Sequence, residues 1–244
     1  MPRPQKTIST LALASAIAAI AILWHPQPVK ADNAPDWLRT AAQEKLPAYQ
    51  NDPVAVVLLD DEQVVVKDDG EVEVRIRRAY KLLRPESRKR YSYASAYCDN
   101  ETKISSFKAW TITADGKEFG LKEKDASETG LSSDALYSDV RVKYLRFPEA
   151  NPGNVVGYEV IQRQRPYVFD DVWDFQYTVP VHESRFSLQL PAGWEFSTFW
   201  SNHSEEKPLT PAPNQYTWEV TESPAIEVEP EMPAWESPSL GAWA

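Results

Sequence analysis

A single cysteine, Cys98, in 244 residues excludes any intrachain disulfide, so the hydrophobic core alone must stabilise the fold. Histidine is nearly as scarce, and only His182 and His203 follow residue 31. They stand 21 residues apart with no third ligand at metal spacing, so no metal site and no cofactor is expected. Basic residues are in deficit as well: 26 Lys and Arg face 36 Asp and Glu, a formal net charge of −10. That balance opposes phosphate backbones and anionic lipid surfaces, which excludes nucleic acid as an expected partner. Also lacking is an internal repeat of fixed period, and the last 37 residues, from Pro208, carry no Lys or Arg at all.

What is present is a hydrophobic content of 42%, ample for a buried core in one large domain or two small ones. The start has the grammar of a secretory signal: Arg3 and Lys6, an apolar run over residues 8–24, then Val29-Lys30-Ala31 as an A-x-A-like site. Residues 1–31 are expected to be a signal peptide cleaved after Ala31. An uncleaved anchor is the alternative, since this run of seventeen residues approaches the length that spans a bilayer. Either way the body is exported, to the periplasm or beyond, with no membrane contact other than this segment. Without Arg3, Lys6 and Lys30 it holds 23 basic against 36 acidic residues, a charge near −13.

Residues 32–50 form a helical lead-in, because Trp37, Leu38, Ala41, Ala42 and Leu46 fall at helical spacings over residues 36–46 before Pro47 stops them. From Val54 the period becomes two. Residues 54–59 and 64–66 are apolar runs, Asp68-Asp69-Gly70 is a turn, and Val72, Val74, Ile76, Tyr80 and Leu82 share a parity opposite Glu71, Glu73, Arg75 and Arg77. Arg78 falls on the apolar parity, as a bulge or as a paired charge, and a bulge is expected. A charged connector spans residues 85–90, then Tyr91, Tyr93 and Tyr97 resume an extended pattern. Another strand covers residues 103–113, closed by the Ala114-Asp115-Gly116-Lys117 turn.

Residues 122–138 are polar and read as a surface loop, with room for one helical turn. Residues 139–161 read as a long hairpin, two β-rich segments joined at Asn151-Pro152-Gly153, with Pro152 and Gly153 as the structural turn. Four more strands carry Trp173, Phe175, Tyr177 and Val179; Phe186, Leu188 and Leu190; Trp194, Phe196 and Trp200; and Tyr216, Trp218 and Val220. The expectation is an all-β, antiparallel β-sandwich-like domain over residues 51–230 with one short N-terminal helix, followed by a Pro-rich acidic linker or tail at 231–244.

No residues form a convincing catalytic constellation. Cys98 lacks a helix-opening or basic environment that would activate a thiolate and reads as a buried spectator. Asp170, Asp171 and Asp174 beside Tyr167 and Trp173 have the composition of a glycosidase carboxylate pair with an aromatic platform, but adjacent acids at a strand start are ordinarily solvated. The Asn100-Glu101-Thr102 and Asn202-His203-Ser204 sequons read as chance matches. Nine Trp exceed what a core of this size needs. Trp194, Trp200, Trp218 and Phe199 are candidates for an exposed platform, although parity puts Trp194, Phe196 and Trp200 on a core face and leaves Phe199 out of phase. The expected interaction surface is Phe199 with Tyr167.

In order along the chain, the apolar run at 54–59 with the DDG turn, the ADGK turn, YSDVRVKYLRFP at 137–148, Pro152-Gly153 with VVGYEV, and the Leu190-Pro191-Ala192-Gly193 turn resemble the DUF3857 domain. The resemblance covers roughly residues 50–220. It implies a β-sandwich-like module without known chemistry that stands between a signal peptide and a transglutaminase-like domain in secreted bacterial proteins. It implies, as partners, such a domain or another envelope protein. The papain-like Cys, His and Asp set of that domain has no counterpart here, and Cys98 does not match its nucleophile. The function expected is thus a non-catalytic accessory module. The alternatives are the front part of a transglutaminase-like hydrolase or transferase, and a carbohydrate-binding module.

Overall fold

The computed structural model describes residues 33–49, 51–130, 139–227 and 241–243. The expected signal segment and most of the expected tail lie outside the described residues. In chain order the elements are α1 (Asp36–Gln43), β1 (Ala55–Val66), β2 (Val72–Leu82), a 3-10 turn (Pro85–Ser87), α2 (Arg88–Tyr91), β3 (Tyr93–Cys98), β4 (Lys103–Ile112) and β5 (Glu118–Lys122). There follow a second 3-10 turn (Glu123–Asp125), β6 (Ser127–Gly130), β7 (Arg141–Arg146), β8 (Val155–Gln164), β9 (Val172–Asp174), β10 (Val181–Gln189), β11 (Phe199–Ser201), β12 (Gln215–Ser223) and β13 (Gly241–Trp243).

The fold is all-β, about 48% strand, with the N-terminal helix at residues 36–43. Seven strands form one sheet in the order β12-β10-β1-β2-β8-β4-β5, and two three-stranded sheets run β3-β7-β6 and β11-β13-β9. The large sheet is mixed, because β1 and β10 are parallel, with Val57 opposite Val181 and Val64 opposite Leu188. Alternation in sequence reports which side chains are buried and carries no strand direction, so an all-antiparallel sheet was not a safe expectation.

The inner face of the large sheet holds Ala55, Val57, Phe107, Val156, Val160 and Val181, packed against Ala94, Ala96, Leu145 and Phe147 of the β3-β7-β6 sheet and its exit. Further along the same face Val64, Val66, Val72, Val74, Phe186, Leu188 and Trp218 meet Trp173, Phe175 and Trp200 of the β9–β11 region. Ile76 packs against both clusters, so the two small sheets sit side by side over one face. On the opposite face α1 buries Leu38 and Ala41 against Val56, Leu58, Ala79, Trp110 and Val155. Its seat requires Gly157, since a Cβ there would lie 2.6 Å from Leu38 Cδ1 and 3.0 Å from the Arg78 carbonyl.

The central hairpin does not form. β7 pairs with β3 and β6 in a small sheet, whereas β8 lies between β2 and β4 in the large one, so residues 147–154 are a crossover. The turn itself is as expected: Gly153 has φ +89° and the Asn154 N–H donates to the Asn151 carbonyl at 3.1 Å. Asn154 fixes the crossover, its amide donating to the Glu149 carbonyl (2.7 Å) and its Oδ1 accepting from the Ala114 N–H (2.9 Å). The Gly153 N–H donates to the Leu82 carbonyl at 2.7 Å.

Three smaller expectations change. Residues 194–198 are not strand, although Phe196 packs on Tyr216 (4.5 Å) and Trp218 (5.6 Å), so their alternation reflects loop side chains reaching the core. Tyr91 ends α2 instead of extending β3. Within the expected surface loop Ser127–Gly130 forms β6; all four residues are exposed, so this edge has no hydrophobic alternation to read.

Candidate functional site

Arg78 is not at a bulge. It lies in regular register opposite Asp60, and the irregularity in this pair falls on β1 between Val57 and Leu59. One extra residue there turns Asp60 and Glu62 onto the inner face, between the two apolar clusters. Asp60 is 1% exposed, and Arg78 Nε donates to its Oδ1 at 2.7 Å while the Tyr177 hydroxyl donates to Oδ2. The Arg78 guanidinium also lies 5.8 Å from the Trp173 ring centroid, within cation–π range. Burial pushes the Asp60 carboxyl up, and the Arg78 charge and the Tyr177 hydrogen bond offset only part of it.

Glu62 is also buried and shares a hydrogen bond with Asp171. Burial, then the neighbouring Asp171 charge, push the Glu62 carboxyl well above the usual carboxylate range, and burial raises Asp171 too. The Val172 N–H donates to Asp171 Oδ1 at 2.8 Å and favours its charged form. The pair therefore retains a proton on Glu62 at pH values where an exposed Glu is ionised.

Asp171 stands at the edge of a half-open groove of about 660 Å³. Its floor is the sheet face of Val64, Val66, Val72, Phe186 and Leu188, and its walls are Phe169–Asp171 on one side and residues 194–199 on the other. Phe169 and Trp194 meet edge to face at 5.3 Å. Phe199 lines the groove and is 66% exposed; Tyr167, next in sequence to the lining residue Pro166, is 94% exposed. Of the two residues expected as an interaction surface, Phe199 lines this groove and Tyr167 does not.

The other sequence candidates separate. Pro152 and Gly153 sit by Leu82, at the end of the large sheet away from the groove. Trp194 is 39% exposed, against its parity, while Trp200 and Trp218 are core. Cys98 is buried at the end of β3. His182 Nδ1 lies 2.6 Å from Glu222 Oε1, and His203 Nδ1 lies 2.7 Å from the Ser204 carbonyl, in separate places. No group of three metal-ligating side chains occurs among the described residues. Sequence reasoning missed Asp60, Glu62 and Phe169, and for Arg78 it favoured the bulge over the paired charge that the structure shows. A signal for Asp60, Glu62 and Arg78 existed: Asp60-Asp61-Glu62 interrupts an apolar strand, and Arg78 interrupts the apolar parity of its hairpin partner.

These features define an all-β domain in which two small sheets cover one face of a large mixed sheet, with a buried charge cluster and an aromatic groove on that face. The sequence profile of DUF3857, a domain of unknown function with a solved structure, matches residues 68–227, and the chain belongs to this family. No curated protein sequence matches it. Among solved structures it is similar to a candidate protease from Parabacteroides distasonis ATCC 8503, with a TM-score of 0.68 at 15% identity, covering 78% of this chain and 40% of that one. The chain thus spans less than half of that protein, and the likeness is one of fold. Native yeast LTA4 hydrolase (TM-score 0.38, 11% identity, 86% of this chain and 32% of that one) is far weaker.

Proposed function

We propose that this chain is an exported, non-catalytic interaction module whose groove takes an extended apolar segment of a transglutaminase-like protein, or of another protein of the bacterial envelope. The observation that carries the reading is the aromatic lining left open to solvent by Phe169, Trp194 and Phe199. Contiguous exposed aromatic surface of this kind marks interaction sites. Export rests on the N-terminal apolar run, and the partner class rests on the company that the family resemblance implies.

The carboxylates support a binding role over catalysis. Glycoside hydrolysis needs two carboxyl groups about 5 to 9 Å apart across the substrate. Here Asp171 is hydrogen-bonded to Glu62, and both Asp60 oxygens are held by Arg78 and Tyr177. A second reading, a carbohydrate-binding module, draws on Trp194 and Asp170 facing one groove.

Calorimetric titration of the exported chain with a transglutaminase-like domain from the same envelope tests the reading. Saturable binding is expected, weakened about tenfold or more by Phe199→Ser combined with Phe169→Ser, the loss typical of central aromatic anchors. Binding unchanged by that double variant, saturation by oligosaccharides instead, or substrate turnover by the chain alone would overturn it.

A further inference from the structure

A second cavity, of about 230 Å³, opens on the same face of the large sheet but under the other small sheet. Its volume corresponds to roughly seven or eight waters of liquid. Arg78, Tyr80 and Tyr158 line it from β2 and β8, Arg90 from α2, and Tyr93 and Ser95 from β3. Arg78 comes from the inner sheet face, whereas Arg90 is exposed and held beside the mouth by donating from Nη1 to Thr178 Oγ1 at 3.1 Å.

The lining sorts by chemistry into donors and flat apolar walls. Arg78 Nε donates to Asp60, and the Tyr158 hydroxyl stands near the same guanidinium. A guanidinium has five N–H groups, so terminal N–H donors remain for the cavity it lines, and 29% of the side chain stays accessible. Burial pushes the Tyr80, Tyr158 and Tyr177 hydroxyls up, so they stay neutral; Tyr177 gives its single O–H to Asp60, which leaves the Tyr158 hydroxyl as a donor toward the cavity. Among the described residues no carboxylate lines the cavity. The nearest, Asp60, has both oxygens engaged, by Arg78 and Tyr177. Val57, Ala94 and the Tyr91 ring supply apolar surface, with Tyr91 packed on Tyr80 at 4.8 Å.

We infer that this cavity is a binding site for a small organic carboxylate with a flat or apolar body, held by Arg78 from within and Arg90 at the mouth. A planar carboxylate matches the guanidinium fork in two parallel hydrogen bonds, and the Tyr158 hydroxyl is placed to complete its oxygens. Asp60 and Arg78 offset each other, which leaves Arg90 as the surplus formal charge on the lining and matches a monoanion. A phosphate dianion would set two charges near buried Asp60 with one cation to balance them, so the carboxylate is favoured. The site is separate from the aromatic groove and does not depend on what binds there.

The test titrates the full chain with benzoate, whose ring and single carboxylate match the cavity, at low salt and neutral pH, following amide chemical shifts. Saturable shifts are expected at β3, α2 and the middle of β2. Arg90→Met lies at the surface and leaves the fold intact by circular dichroism; it should weaken benzoate about tenfold, as loss of a charge-assisted contact does. Phe199→Ser should leave benzoate binding unchanged, so this site and the groove fail or stand separately. The inference is overturned if benzoate gives no saturable shifts, if benzyl alcohol binds as well as benzoate, if inorganic phosphate binds more tightly, or if Arg90→Met binds like the wild type.

Discussion

Arg78 and Asp60 face each other across the β1–β2 pair, and the 2.7 Å bond from Nε to Oδ1 joins the guanidinium to a carboxylate that is 1% exposed. The carboxylate is removed from water while 29% of the Arg78 side chain stays accessible, so Asp60 depends on the guanidinium more than the reverse. Removing one partner of a buried pair costs about 3 to 5 kcal/mol, while replacing both by apolar side chains is often neutral or stabilising. Arg78→Met should therefore lose about that much in urea titration, and Asp60→Leu with Arg78→Met together should recover most of it. Additive losses would show that the two residues do not act as a pair.

Stability should depend on pH through Glu62. Its folded-state pKa is raised by burial, so its contribution is fully present below the unfolded carboxylate value and is lost as pH rises through the folded value. Asp60, Asp61, Asp171 and Glu183 are shifted in the same direction and add to this loss as pH rises, whereas Asp69, Glu71, Asp115 and Glu118 are held low by hydrogen bonds and give the opposite slope only as pH falls below the usual carboxylate range. Glu62→Gln keeps the shape without the ionisation. As pH rises above about 4, urea midpoints should fall less steeply in the variant, and parallel curves would show that Glu62 is not the group responsible.

Gly157 gives α1 its seat. Gly157→Val places a Cβ within 2.6 Å of Leu38 Cδ1 and 3.0 Å of the Arg78 carbonyl, and the backbone oxygen is not free to yield. Overpacking of this kind costs about 1 to 3 kcal/mol. Hydrogen exchange should quicken in α1 before the sheet, since Leu38 can move and the strands cannot. Unchanged protection of α1 would mean that the helix sits elsewhere in solution.

At the crossover, Gly153 holds φ +89° while Gly130 has an ordinary φ and nothing within 4 Å of its Cβ position. Gly153→Val should cost on the order of 1 to 3 kcal/mol for backbone strain. Gly130→Val, an exposed change, should stay within about 0.5 kcal/mol. Equal urea midpoints for the two variants would mean that the turn at 151–154 is slack.

The sequence by itself determined the elements that local periodicity encodes. Val72, Val74 and Leu82 alternate into the core as read, the Asp69-Gly70 and Asp115-Gly116 turns stand where turn chemistry put them, and the helix begins at Asp36. The exposure of Phe199 was legible because it falls out of phase with its neighbours. Only the tertiary structure decided which strands pair. β7 and β8 are neighbours in sequence yet belong to different sheets, because burial on one face constrains side-chain direction and leaves the partner open. It alone also decided the charge cluster: a bulge on β1 and long-range packing set Asp60 against Tyr177, 117 residues away, and Glu62 against Asp171. Pairings over such separations are fixed by the closing of the core, which no local pattern records.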